Sequence, residues 1–480
     1  MSPHYDVLVI GAGSGSKLVR PVASLGYKVA VVEKDKLGGT CLNRGCIPSK
    51  MLIHPADLLS TLTHDFPKFG VNIDVASVKI DQSSLVERTC NEIDEDSASI
   101  AHGYDKLSNV TRFAGVASFV DCKTVSVTST TAVHLLTADK IFIATGCQAS
   151  IPDIPGLAGT PFLTYRELLR SPTTHESMIV IGGGYIACEL GYYAARVGGT
   201  RVTFLVREKM LRGEDEDVRA EFEKCFAADF DVRFRLCPTA VRYDNGEFTV
   251  IADSTAGSDA VVVKAKSLFV ATGVTPDTNQ LHLVKAGIET DARGFIRVND
   301  RFETRTPGIY AFGDCIGRHL FKHVANFEGE WLFKTLFARD GWPGYIQRWT
   351  DISGGVVYPP IPHAVFSYPQ VAGVGLKESQ AVAKYGREGI VVGRCDVADV
   401  AMGAALRATS GFVKLLFSKS DRKLVGAQMV GEQSSVVIHT AIAFMQMRAT
   451  VDDLLETIYV HPALVEVVRD AARDAASKIM

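Results

Sequence analysis

The chain has 480 residues, too many for one ordinary core, so about three domains are expected. At 47% hydrophobic, 22% charged and a net charge of −3, it has the make-up of a soluble globular protein and offers no basic surface for nucleic acid or an anionic membrane. Ten cysteines without a secretory leader argue for a reducing, cytoplasmic compartment, and no apolar run suffices to span a bilayer.

Residues 5–10, YDVLVI, form a short apolar run. It leads into Gly11-Ala-Gly13-Ser-Gly15-Ser16, a helix to Leu25, a stop at Gly26 and a second strand ending at Glu33. This is a dinucleotide-binding fingerprint: a tight glycine turn, a helix N-terminus facing a pyrophosphate, and an acidic residue about 20 positions on for ribose hydroxyls. Ser16 stands where a third glycine is usual, so helix and strand are expected to sit slightly further apart.

Gly38 to Lys50 reads GGTCLNRGCIPSK. In a regular helix the offset between Cys41 and Cys46 would hold their Cα atoms roughly 8.7 Å apart, beyond disulfide reach. A bridge needs a helix that starts late or bulges, with Cys41 outside the regular turn. The glycines at 38, 39 and 45 permit that, and Pro48 suits a first helical turn. Cys46 would then lie near a helix N-terminus, which favours a thiolate. Two unreactive buried thiols, or half of a zinc site, remain alternatives at this point, although no second ligand pair follows and no metal is expected.

Residues 51–95 are expected to form long amphipathic helices, followed by strand-rich segments at 110–120 and 124–127 and a strand ending in Ala-Thr-Gly146. The proline-rich Ile151–Gly156 reads as a linker. The opening pattern then recurs: residues 178–181, Gly182-Gly-Gly184-Tyr185, a helix to Val197, a strand running to Arg207, and an Ala-Thr-Gly closing at Gly273. The second strand of the first unit ends in Glu33, suited to a free ribose. That of the second ends in Arg207, with Arg212 five residues on, which suits a 2′-phosphate and leans towards NADPH over NADH. Arg207 as a plain surface residue is the alternative. Gly313-Asp314 ends a strand and places a carboxylate at a sheet edge, or else a simple turn or cap. From Ile361 short strands alternate with helices as in an α+β domain.

Taken together, the first glycine turn with Glu33, GGTCLNRGCIPSK, the two Ala-Thr-Gly segments, GGGYIACE, IYAFGD and His461-Pro-Ala-Leu-Val-Glu466 resemble the FAD-dependent pyridine nucleotide–disulfide oxidoreductases, in order and nearly end to end. The family includes dihydrolipoyl dehydrogenase, glutathione reductase and mycothione reductase. The resemblance implies an α/β fold with two Rossmann-like dinucleotide-binding domains, one for FAD and one for NAD(P), and a C-terminal α+β dimerisation domain. The boundaries expected are 1–150 for the first part of the FAD domain, 151–280 for the NAD(P) domain, 281–355 for the second part, and 356–480 for the interface domain.

Carried onto this chain, the resemblance gives Glu33 the adenosine ribose of FAD, Gly11, Gly13 and Gly15 its pyrophosphate, and Asp314, after Gly313, its ribityl chain. Gly146 and Gly273 close the two Ala-Thr-Gly turns, and Gly182 and Gly184 line the NADP(H) or NAD(H) turn. Lys50 and Glu189 match a pair close to the reactive nitrogen of the flavin. Tyr185 matches a ring that gates the nicotinamide pocket, unless it is simply a packed aromatic. Cys46 becomes the flavin-side thiolate and Cys41 the thiol that exchanges with substrate. His461, oriented by Glu466, becomes the acid–base group, acting across a homodimer. The implied reaction passes electrons between NAD(P)H, FAD, the Cys41–Cys46 disulfide and a low-molecular-weight disulfide of the mycothione type. Dihydrolipoamide oxidation with NAD is the second expectation, and an NAD(P)H oxidase or diaphorase without disulfide turnover the third. The other eight cysteines are expected to be inert and buried.

Overall fold

A computed structural model describes residues 3–257, 259–337 and 347–479. In chain order it opens with β1 (His4–Ile10), α1 (Ser16–Ser24), β2 (Val29–Glu33), α2 (Gly39–Arg44), α3 (Cys46–Ser60) and α4 (Gln82–Asp105). Strands β3 (Val110–Ala114), β4 (Val116–Phe119), β5 (Thr124–Thr128), β6 (Val133–Ile143) and β7 (Cys147–Ala149) follow, then α5 (Tyr165–Leu168). The middle comprises β8 (Ser177–Ile181), α6 (Tyr185–Val197), β9 (Arg201–Val206), α7 (Glu216–Asp229), β10 (Asp231–Phe234), β11 (Leu236–Asp244), β12 (Glu247–Ser254), β13 (Val261–Ala265), β14 (Ser267–Val270) and β15 (Val274–Pro276). After β16 (Ile309–Ala311) and α8 (Lys322–Phe337) come β17 (Pro362–Val365), β18 (Gln370–Gly375), α9 (Glu378–Tyr385), β19 (Ile390–Asp396), α10 (Ala401–Ala405), β20 (Phe412–Ser418), β21 (Leu424–Gly431), α11 (Ser434–Gln446), α12 (Val451–Glu456) and α13 (Glu466–Ile479). The fold is α/β, with two Rossmann-like units and a C-terminal α+β part.

The residues cluster into two compact units. The first takes Met1–Ser49, Val86–Ser150 and Gly273–Tyr358. Its sheet runs β3-β2-β1-β6-β5-β4, with β16 added against β6. Strands β3, β2, β1, β6 and β16 are parallel; β5 and β4 return antiparallel. Strands covered on both faces need side chains that tolerate burial everywhere, and Val7–Ile10 and Val29–Val32 are unbroken apolar runs, almost wholly buried. Helix α1 closes one face with Leu18, Val19, Val22 and Ala23, spaced for one helical stripe.

The second unit takes Lys50–Leu85, Ile151–Thr272 and Pro359–Met480. A parallel sheet β10-β9-β8-β14 repeats the strand–turn–helix logic, beside an antiparallel β11-β12-β13 sheet. The C-terminal part is an antiparallel sheet ordered β17-β18-β21-β20-β19. On it lies α13, which buries Val467, Val468, Ala471, Ala472 and Ala475. Among the described residues no helix is long and apolar enough to cross a membrane.

Three expectations are corrected. The helical run after residue 51 stops at Ser60, passes through short irregular turns, and resumes only at Gln82. Ile151–Gly156 is no loose linker: Ile154 is buried, Pro155 O accepts from Val241 N at 2.9 Å, and a side chain at Gly156 would run into Val241 O. Cys122 is exposed, and Cys90, Cys147, Cys225 and Cys237 are only half-buried, so not all eight remaining cysteines are buried.

One charged cluster fastens α7 to the C-terminal sheet. Lys414 on β20, almost without solvent exposure, holds Asp217 at 2.6 Å, Asp215 at 2.9 Å and Glu378 at 3.3 Å. Burial alone would lower the Lys414 pKa, but the hydrogen bonds and charges of Asp217 and Asp215 outweigh it and the net direction is up. Lys414→Ala strands those carboxylates without their cation, and a loss of about 3 kcal/mol is expected. The check is the urea midpoint and slope for both proteins; a change within about 0.5 kcal/mol would show the cluster to be energetically idle.

Candidate functional site

In the first unit the glycine turn is shaped by contact. Gly11 has φ +96° and a side chain there would overlap Ala144 O. Gly15 starts α1 so close to β1 that an added Cβ would lie 2.7 Å from Val9 Cγ1 and overlap Gly11 O. The close approach usually credited to the third motif glycine therefore falls on Gly15. Ser16 faces back, its Oγ donating to Gly13 O at 2.8 Å. The wider helix–strand spacing expected from Ser16 is corrected on this ground.

Glu33, at the end of β2, accepts from Ala12 N at 2.8 Å through Oε2 and from Asp35 N at 3.0 Å through Oε1. Burial pushes its pKa up against the pull of those backbone donors. Gly146 after β6 and Gly313 after β16 both take left-handed φ, at +69° and +74°. Asp314 follows Gly313, and burial lifts its carboxyl to about 6, with the Lys322 ammonium pulling the other way. A turn with no room for side chains at Gly11 and Gly15, an acid at the end of the second strand and a desolvated acid at a neighbouring strand end suit a pyrophosphate, a ribose and a hydroxylated chain. These residues fit FAD.

The cysteine segment is pressed onto that turn. Gly39 has φ +68°, and a Cβ on it would lie 2.5 Å from Gly13 Cα. Buried Asn43 staples the loop by donating to Leu37 O at 2.9 Å and Gly39 O at 3.0 Å. Cys41 lies inside α2, not ahead of a helix as expected, and the break falls after it. At Gly45 the chain folds in so tightly that a Cβ would meet Thr40 O at 2.9 Å. Cys46 then opens α3, and the two thiols, both unbridged, are hydrogen-bonded to each other. That bond, ahead of burial, drives the Cys41 pKa up. The Lys322 ammonium opposes this shift and is itself lowered by burial, with both cysteines raising it. Lys322 opens α8 and donates to Ser14 Oγ at 3.1 Å.

In the second unit Gly182 has φ +134°, where a side chain would overlap Ala271 O, and Gly184 caps α6 with open space around it. Gly273 has φ +118°. Tyr185 is the first residue of α6, and its hydroxyl donates to Glu214 Oε1 at 2.5 Å. Arg207, just beyond β9, and Arg212 are exposed. Lys50 Nζ pairs with Glu189 Oε2 at 2.6 Å and lies 4.3 Å from the centre of the Phe366 ring, while Phe366 N donates to Glu189 Oε1 at 2.9 Å. His461 is exposed and its Nδ1 donates to the buried Glu466 carboxylate at 3.0 Å. Glu466 also accepts from Ala463 N at 3.1 Å and pairs with Arg469 at 3.0 Å. The Ala463 bond first, then the His461 bond, lowers its pKa.

Sequence reading missed Asn43, Lys322, Glu214 and His363. Lys322 opens a helix and Glu214 sits in an acidic run, patterns that ordinarily mark solvated faces.

A family model described as "Pyridine nucleotide-disulphide oxidoreductase" matches residues 5–329, and the dimerisation domain of that family matches residues 361–472. Among curated relatives, dihydrolipoyl dehydrogenase of Chlorobaculum parvum is 33% identical over 98% of this chain and 97% of its own. The Corynebacterium glutamicum enzyme of the same name is 30% identical over 98% of each. Mycothione reductase of Mycobacterium tuberculosis is 31% identical over 97% of this chain and 98% of its own. Among solved structures, the Cu(II) complex of the HOCl-induced flavoprotein disulfide reductase RclA from Escherichia coli shares the fold, with a TM-score of 0.83 at 24% identity over 100% of each chain.

The raised Asp314 carboxyl has a signed consequence. Its folded pKa of about 6 lies above the ordinary 3.8, so ionising it costs stability progressively as pH rises from 3.8 through 6. In flavin-free protein Asp314→Asn is expected to raise stability by on the order of 2 kcal/mol above pH 6, with no gain below pH 3.8, while weakening FAD retention. Thermal melts of both apoproteins at pH 4 and 8 check it; an equal effect at both would refute the linkage.

Proposed function

The chain belongs to the pyridine nucleotide–disulphide oxidoreductase family, and from that premise we propose that it is an NADPH-linked reductase of a low-molecular-weight disulfide of the mycothione type. It is an FAD-dependent NAD(P)H:disulfide oxidoreductase whose C-terminal part is a dimerisation domain. The observation that carries the finer reading is Arg207. It stands exposed where the second strand of the coenzyme unit ends, with Arg212 nearby, and neither is ion-paired among the described residues. Two unengaged guanidinium groups there suit a 2′-phosphate. Dihydrolipoamide oxidation is the second reading, favoured by the name borne by several relatives at 29–33% identity.

Each side chain then has a task. The turn of Gly11, Gly13 and Gly15 takes the FAD pyrophosphate, Glu33 its ribose and Asp314 its ribityl hydroxyls. Bound FAD supplies electron transfer between the nicotinamide and the cysteine pair. Cys41, once reduced and deprotonated, attacks one sulfur of the substrate disulfide, and the other leaves as a thiol. His461, held by Glu466 and acting across the dimer, first takes the proton from Cys41 and then donates it to that leaving thiolate. Cys46, at the N-terminus of α3, attacks Cys41 in turn, releasing the second thiol and restoring the disulfide. One dithiol is oxidised for one disulfide reduced.

A panel of oxidised thiols plus lipoamide, each with both coenzymes, tests the reading. NADPH with a small disulfide should give the highest kcat/KM; lipoamide with NADH as the best pair would install the second reading. Arg207→Glu should raise KM for NADPH at least tenfold with kcat little changed, and an unchanged preference would make Arg207 irrelevant. Cys46→Ser should keep FAD and dye reduction but lose disulfide turnover. If the wild-type protein reduces dyes and turns over no disulfide, it is a diaphorase.

A further inference from the structure

Tyr185 does not end as a free aromatic at the helix start. Its hydroxyl donates to Glu214 Oε1 at 2.5 Å, and the Glu214 side chain is wholly without solvent exposure. The other carboxylate oxygen accepts from His363 Nε2 at 2.9 Å, and Lys377 Nζ lies 3.5 Å from Oε1. The His363 and Tyr185 rings lie nearly parallel, 17° apart, with centroids separated by 6.1 Å. His363 belongs to β17 and Lys377 caps α9, both in the C-terminal part, whereas Tyr185 and Glu214 belong to the coenzyme-binding part of the same unit. The neighbouring Asp215 is gripped by Lys414, so the backbone that carries Glu214 is itself anchored.

We propose that Glu214, set in place by His363 and Lys377, is a latch on Tyr185: it holds the ring over the nicotinamide subsite, and the coenzyme must break the hydroxyl–carboxylate bond to enter. This rests on the reading of Tyr185 as the ring covering that subsite. Physically, a short hydrogen bond to a buried carboxylate is among the stronger ones, and a carboxylate with no access to water has no substitute donor when it loses one. Burial works against ionisation of Glu214, but the His363 bond and charge, Lys377 and Tyr185 together hold its pKa down to about 2, so the acceptor is a carboxylate throughout the working range. The anchor consists of C-terminal residues, so the resistance met by the coenzyme is set by the domain that also forms the dimer contact of the family. Glu214, His363 and Lys377 are positioning residues here, acting through Tyr185.

The test compares equilibrium binding to the FAD-loaded protein of NADP⁺ and NAD⁺, each against its counterpart without the nicotinamide ring, 2′-phospho-ADP-ribose and ADP-ribose. Tyr185→Phe keeps the ring and removes the bond. It should tighten whichever full coenzyme the protein binds by on the order of tenfold and leave the ring-less counterparts unchanged. Glu214→Gln, which keeps an acceptor but loses its charge, should move affinity in the same direction by less. The double variant should match Tyr185→Phe alone. Equal shifts for coenzyme and ring-less fragment would mean a general structural disturbance and overturn the latch. If Tyr185→Ala changes coenzyme binding while Tyr185→Phe does not, the ring covers the site but is not latched. If neither variant changes it, the ring does not cover the subsite and both readings fall.

Discussion

The first unit depends on a contact between two backbones. Gly39 lies so close to Gly13 that a side chain on Gly39 would overlap the Gly13 Cα, 2.5 Å from where its Cβ would sit. Through that contact the first glycine turn and the segment that carries two thiols are packed together. Asn43 completes it by drawing Leu37 O and Gly39 O together from inside α2. Close packing of this kind is unforgiving, because each methyl group added must displace main chain. Redox chemistry profits from the rigidity, since thiol exchange depends on the placement of sulfur atoms relative to an acceptor.

The second unit is organised by buried charge. Lys414 holds three carboxylates, while His363 and Lys377 share Glu214 one residue before Asp215. Such clusters are costly to desolvate and add less stability than their geometry suggests. What they provide is a unique arrangement, because any other packing leaves a charge without its partner. Here that arrangement fixes the start of α7, and with it the carboxylate facing Tyr185. The two glycine turns of the chain thus differ in kind. One is closed by a neighbouring backbone, the other is overlooked by an aromatic ring on a tether.

Much of this was legible in the linear chain where function is local. A glycine turn between a strand and a helix, an acid at the next strand end, and two cysteines spaced across a glycine are patterns in which the chemistry and the backbone requirement coincide. Gly45 is one of three glycines expected to loosen the backbone around the cysteines, and a Cβ there would meet Thr40 O at 2.9 Å. Misreadings occurred where neighbours in sequence are not neighbours in space. Ser16 suggested a wider helix–strand gap, but Gly15 had already taken the close approach to Val9. Ile151–Gly156 looked like a linker from its prolines, yet Ile154 fills a core contributed by β8, β11 and β12. Strands β18 and β19 are not distinguished in the sequence at all, since short apolar runs do not announce their partners.

The family, the pair of glycine turns and the close pair of cysteines can thus be read from the linear chain, because each is a short stretch whose residues act on one another directly. Folding alone brings the Lys322 charge to bear on the thiols and joins Tyr185 to Glu214 and Glu214 to His363. Those groups lie from tens to hundreds of residues from what they serve. A charge acts through distance in space, and nothing in the order of residues along a chain records which distant side chain folding will bring within 3 Å.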